Sequence, residues 1–188
     1  MIRLPLIPTL IVAAAVAVMI WLGLWQLDRR AQKEAALARY AAAQGQAPIP
    51  WPEQVDPRDP PLFRRSGLDC HAVAGWREES GRNLRGEAGW VHIAECRTVE
   101  GSANVVVGWS SRPDRPNWRG GQVAGVIGPD RSRTIRLIAG QAPAGLLPAR
   151  PPSLEDVPNN HLSYAIQWFF FAFTALVIYF LALRRRAR

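Results

Sequence analysis

Two long stretches of this chain carry no Asp, Glu, Lys or Arg: residues 4–27 and residues 157–183. Between them short apolar segments alternate with Gly, Pro, Asn, Asp and Ser. At ~1.5 Å rise per residue, residues 164–183 make a helix of about 30 Å, matching the hydrocarbon thickness of a bilayer, and residues 4–27 one of about 36 Å. The pattern predicts two transmembrane helices with a polar region between them. Pro158 breaks whatever precedes the second helix, and Asn159 or Asn160 is placed to cap its first turn. His161, Tyr164, Ala165 and Trp168 then share one helix face.

The first helix is expected to continue outward. Residues 34–43 are rich in strong helix formers, and Gly45 is the first stop signal. Prolines at 48, 50, 52, 57, 60 and 61 mark an extended connector. Residues 68–76, 89–96, 103–110, 122–127 and 134–139 read as strands, short and rich in Val, Ile and Trp, with turn residues between them. Such spacing predicts a mainly antiparallel β domain, a small barrel or sandwich, before a second Pro/Gly-rich connector at 140–152. The domain plan is a first transmembrane helix at 1–27, an outward helical extension at 28–46, a mainly β domain at 47–157, a second transmembrane helix at 158–183 and a basic tail at 184–188.

Charge bears on topology. The 188 residues carry a formal net charge of +8. Setting aside Arg3, Arg184, Arg185, Arg186 and Arg188 leaves 18 of the 23 Lys/Arg against all 15 Asp/Glu, a net of +3 for the middle. That is no basis for nucleic-acid binding. The C-terminal arginines are expected to hold that end in the cytoplasm, which puts the N-terminus there too and the central domain outside. Arg29, Arg30 and Lys33 flank the first span on the other side, but the C-terminal cluster is denser. The first span exceeds a normal signal-peptide core, and a charged helix separates it from the small-residue site at 41–43. No Arg/Ser-rich amphipathic leader precedes it, so the expected location is a bacterial inner (plasma) membrane with a periplasmic domain.

Candidate chemistry is sparse. Gly-x-Ser-x-Gly, a phosphate-cradling glycine loop and His-Glu-x-x-His are all missing from the sequence, so an enzyme is not expected. Cys70-His71 and His92-x-x-x-Cys96 suggest a metal site, but neighbouring strand residues face opposite ways. A structural disulfide between Cys70 and Cys96 is the expectation for an extracytoplasmic domain, with free thiols and a metal pair as alternatives. His161, at the mouth of the second span, reads either as an interfacial polar residue or as a ligand. A neutral imidazole can ligate haem iron, and Tyr164 and Trp168 on its face can cover a large apolar macrocycle.

The first span exits through Gly23-x-Trp25-Gln26-x-x-Arg29-Arg30-x-x-Lys33, and the second is entered through Asn159-Asn160-His161-Leu162-x-Tyr164-Ala165-x-x-Trp168-Phe169. Both motifs resemble those at the span mouths of the Surfeit locus protein 1 family of cytochrome c oxidase assembly factors. Val105-Val106-Val107-Gly108-Trp109 resembles a family strand, with Val107 where an arginine usually precedes the glycine. The resemblance implies assembly of a haem-copper cytochrome c oxidase, with oxidase subunits, assembly proteins and membrane lipid as partners. It also implies haem a as cofactor and His161 as the iron ligand. Tyr164 and Trp168 would then line the pocket, and Trp25-Gln26 with Arg29 or Arg30 would close it, the arginine meeting a propionate. The alternative is a non-haem scaffold or accessory subunit bound to the oxidase.

Overall fold

The computed structural model describes residues 5–99 and 101–186. Arg3 and Arg188, two of the arginines used above to orient the chain, lie outside the described residues. Contacts divide the chain into two compact units, Met1–Leu37 with Val157–Arg188, and Ala38–Asp156.

The first unit is helical. Helix α1 runs unbroken over Leu6–Gln44 and helix α2 over His161–Arg186. Pro8 is tolerated in α1 because first-turn amides have no intrahelical acceptor. At the start of α2, the carbonyl of Asn160 accepts the first intrahelical bond from the Tyr164 amide at 3.3 Å. That is the backbone role of an N-cap residue.

Burial along each helix follows a heptad spacing. On α1 the covered or half-covered positions include Thr9, Val12, Val16, Met19, Gly23 and Gln26; on α2 they include His161, Ala165, Trp168, Ala172, Ala175 and Tyr179. Steps of three and four residues keep one stripe facing a partner helix over several turns. Gly23 faces Phe169, Gln26 bonds His161 and Thr9 bonds Tyr179, so the helices run antiparallel. The remaining faces are apolar and exposed, as for two helices immersed in lipid.

The second unit is built on strands β1 Ile49–Pro50, β2 Arg65–Cys70, β3 Ala72–Arg82, β4 Ala88–Thr98, β5 Gly101–Ser110, β6 Gly121–Asp130 and β7 Thr134–Ala139. They form one sheet in the order β1-β2-β6-β7-β5-β4-β3, antiparallel except for the β1–β2 and β5–β7 pairs. The strand expected at 68–76 is in fact two, parted at His71. Its alternating apolar pattern continues across His71, but the chain changes partners there. Cys70 still pairs with β6, whereas the His71 amide bonds the Arg97 carbonyl and Ala72 pairs with Arg97 on β4. The sheet thus curls until the end of β2 lies beside β4. One side encloses Cys70, Ala94, Cys96, Val105, Val107 and Leu137; the other buries Val91, Ile93, Val106, Trp109 and Ile138 with Ala149. Part of the connector at 140–152 is held on that second side by bridges from Leu147 to Trp109 and from Ala149 to Asn83.

Two features fix the curl. Cys70 and Cys96 form a disulfide with Cα atoms 5.1 Å apart, closing 26 residues of separation between strands that are not sheet neighbours. Close by, the Gly120 φ of 130° and the Cys70 carbonyl, 2.2 Å from where a Cβ would stand, leave room for glycine alone. Across the sheet, Asp130, its side chain 1% exposed, accepts bonds from Asn104, Ser132 and Arg77. Burial pushes its carboxyl up, but the bonds from Asn104 and Ser132 and the Arg77 and Arg136 guanidiniums outweigh that and hold it below the ordinary 3.8.

Removing the disulfide by Cys70→Ala with Cys96→Ala is expected to cost about 2–5 kcal/mol in denaturant unfolding of the β unit. Asp130→Ala, which strands Asn104 and Arg77, is expected to cost about 1–3 kcal/mol. Because the folded carboxyl titrates below its unfolded value, its contribution is fully present above pH 3.8 and fades as pH falls through the folded value. Asp130→Asn should therefore flatten the acid limb of the stability profile; an unchanged limb would show that Asp130 does not set it.

Candidate functional site

The helical unit gathers its polar side chains at the ends of an otherwise oily seam. At one end, Tyr179 and Thr9 share a hydrogen bond. Thr9 Oγ1 sends its own proton to the Pro5 carbonyl at 2.8 Å, so the Tyr179 hydroxyl is the donor to Thr9. At the other end, His161, the first residue of α2, places Nδ1 2.7 Å from Oε1 of Gln26 on α1. Both residues are half-buried. An amide oxygen only accepts, so a neutral His161 carries its proton on Nδ1 and keeps its lone pair on Nε2. Among the described residues, Nε2 has no hydrogen-bond partner.

Of the residues singled out from sequence, these two are brought into direct contact. Trp168 lies on the same stripe of α2, half-buried and edge-on to Phe171 at 6.1 Å. Tyr164 is 51% exposed and Trp25 45% exposed, both turned away from the covered stripe. Arg29 is exposed and donates to Gln32 at 2.6 Å, while Arg30 is paired with Glu34 at 2.7 Å. No bond joins Tyr164, Trp168, Trp25, Arg29 or Arg30 to His161 among the described residues. The exposed Trp21 and Trp25 stand where α1 leaves its apolar stretch, as interfacial aromatics do.

Two contacts that pair the helices are not visible in the sequence pattern. Gly23 is one turn from Gln26, and a Cβ there would meet the Phe169 ring at 2.5 Å. The bare backbone is what lets α2 approach, the usual task of small residues between membrane helices. The Thr9–Tyr179 pair, 170 positions apart, is the second. Within an almost uniformly apolar run no sequence signal singles out either one.

In the β unit the suspected metal ligands part company. Cys70 and Cys96 are consumed by their disulfide, and His71 is exposed. His92 is fully buried, its Nε2 2.8 Å from Ser110 Oγ. Desolvation lowers its pKa against the opposing pull of Glu78 and Asp114, which keeps it a neutral core residue. Among the described residues no group of three or more His, Cys, Asp or Glu is placed to hold a metal ion.

The fold and this mouth define a class: two candidate membrane spans with an imidazole bonded between them, joined in sequence through a disulfide-tied β domain. Residues 13–173 match the model of the SURF1 family, and the chain belongs to that family. SURF1 proteins are membrane-bound, known as cytochrome c oxidase assembly factors, and non-enzymatic. A comparison with curated proteins gave no match.

Gly23→Val is expected to push the helices apart and break the Gln26–His161 bond. Spin labels placed on the two helices should report a longer distance; an unchanged distance would mean that Phe169 gives way instead.

Proposed function

We propose that this protein holds haem a at the mouth between its two spans during assembly of a haem-copper cytochrome c oxidase, with His161 Nε2 as the iron ligand. The observation that carries the reading is the state of the His161 ring: Nδ1 is engaged by Gln26, and Nε2, on a half-buried side chain, has no partner among the described residues. Iron-bound histidines characteristically donate their second nitrogen to such an acceptor. The donor set therefore fits the group. Haem a is cargo here, so what is asked of the protein is to bind, shield and release it.

The chain's own residues divide that work. Trp168, and Tyr164 one turn from His161, offer aromatic surface on α2, with Trp25 on the α1 side and Gln26 closing the mouth at His161 Nδ1. Among the described residues Arg29 is bonded only to a neutral glutamine, which leaves it freer than the Glu34-paired Arg30 to meet a propionate. Apolar helix faces suit a macrocycle with a greasy tail, which would otherwise aggregate in water.

The same reading sets the chain in a bacterial inner membrane with both termini cytoplasmic. Its spans lie at 1–27 and 158–183, its helical extension at 28–46, its periplasmic domain at 47–157 and its basic tail at 184–188. Arg184 and Arg185 support that orientation, and a disulfide supports an oxidising compartment for the domain. Oxidase subunits and other assembly proteins are the expected partners.

Protein purified from haem-a-producing cells should show a Soret band that His161→Ala abolishes, along with retained haem. If the variant keeps both, the ligand assignment is wrong. Co-purification with oxidase subunits from haem-deficient cells would then favour the non-haem scaffold.

A further inference from the structure

Gln26 stands beside the imidazole rather than in front of it, and that position suits a task other than lining a pocket. We infer that Gln26 is a positioning residue that selects the ligating nitrogen of His161 and sets its donor strength, an inference that rests on the haem reading above. A free neutral imidazole distributes its proton between two nitrogens. Here an acceptor-only oxygen lies 2.7 Å from Nδ1, contributed by a residue 135 positions away on the other helix. It holds the proton on Nδ1, turns the ring and leaves Nε2 as the lone-pair donor.

The chemical type of the acceptor matters as much as its place. A carboxylate on Nδ1–H would draw the proton strongly and make Nε2 a firm donor; an amide oxygen does so more weakly. Gln26 thus tunes His161 to intermediate strength, which suits a carrier that must surrender its cargo. The acceptor sits on α1 and the ligand on α2, so the choice of nitrogen depends on the two helices staying paired. Gly23, by admitting Phe169, keeps them close enough.

The test uses the full chain in lipid nanodiscs, labelled with 15N-histidine and free of cofactor. There are 3 histidines, so the His161 signals are assigned from those missing in His161→Ala. Wild type should show His161 protonated at Nδ1, Gln26→Leu should lose that preference, and Gln26→Glu should restore it. Haem titration should then give about 10–100-fold weaker binding for Gln26→Leu. Gln26→Glu should bind more tightly than wild type and lower the reduction potential. Wild-type ring signals in a folded Gln26→Leu would overturn the inference, even if His161→Ala loses haem. Altered ring signals in Gln26→Leu, with haem retained by His161→Ala, would sink the haem reading while leaving Gln26 as the residue that fixes the His161 tautomer.

Discussion

In hydrocarbon, two apolar helices gain nothing by hiding oily surface from each other, since lipid tails are equally oily. What holds α1 against α2 must be close packing and a few polar bonds. Gly23 supplies the first by removing the side chain that would collide with Phe169. Tyr179–Thr9 and His161–Gln26 supply the second, near opposite ends of the seam. The consequence reaches the chemistry directly. The bond that helps pair the helices is also the one that occupies a nitrogen of the candidate ligand, so packing and ligand state are one event.

The β unit solves a different problem with different means. A sheet in which β2, next to one edge, runs almost directly into β3 at the other edge must bend sharply at their junction, and the chain does so at His71. The disulfide joins β2 to β4 across that bend, and the Asp130 cluster ties Arg77 on β3 to Asn104 on β5. Both devices act at long range, where hydrogen-bonded ladders alone leave the curvature free. A buried neutral His92 and an ionised Asp130 also show how environment sorts titratable groups: one is desolvated with little compensation, the other is surrounded by donors.

For a membrane-bound assembly factor this division is sensible. Under the proposed haem reading, a carrier calls for a ligand held in one geometry but not made too strong, and a neutral amide behind an imidazole would meet both needs. Tyr164 and Trp25, half-exposed beside that mouth, are aromatic surface not used up by the seam.

Much of the architecture is written in local pattern. Uncharged runs of bilayer length give helices whatever their neighbours, and β-branched segments between turn residues give strands, so α1, α2 and most of β4 to β7 were legible in residue order alone. The start of α2 at His161 was equally so, because Pro158 cannot continue a helix and the asparagines favour its first turn. The break at His71 was not legible: apolar alternation reports which face a side chain takes, not which strand its backbone meets. The parallel β5–β7 pair, the heptad seam and the Gln26–His161 bond were hidden for a like reason. Each joins residues far apart in the chain, and only the packed structure brings a donor to its acceptor.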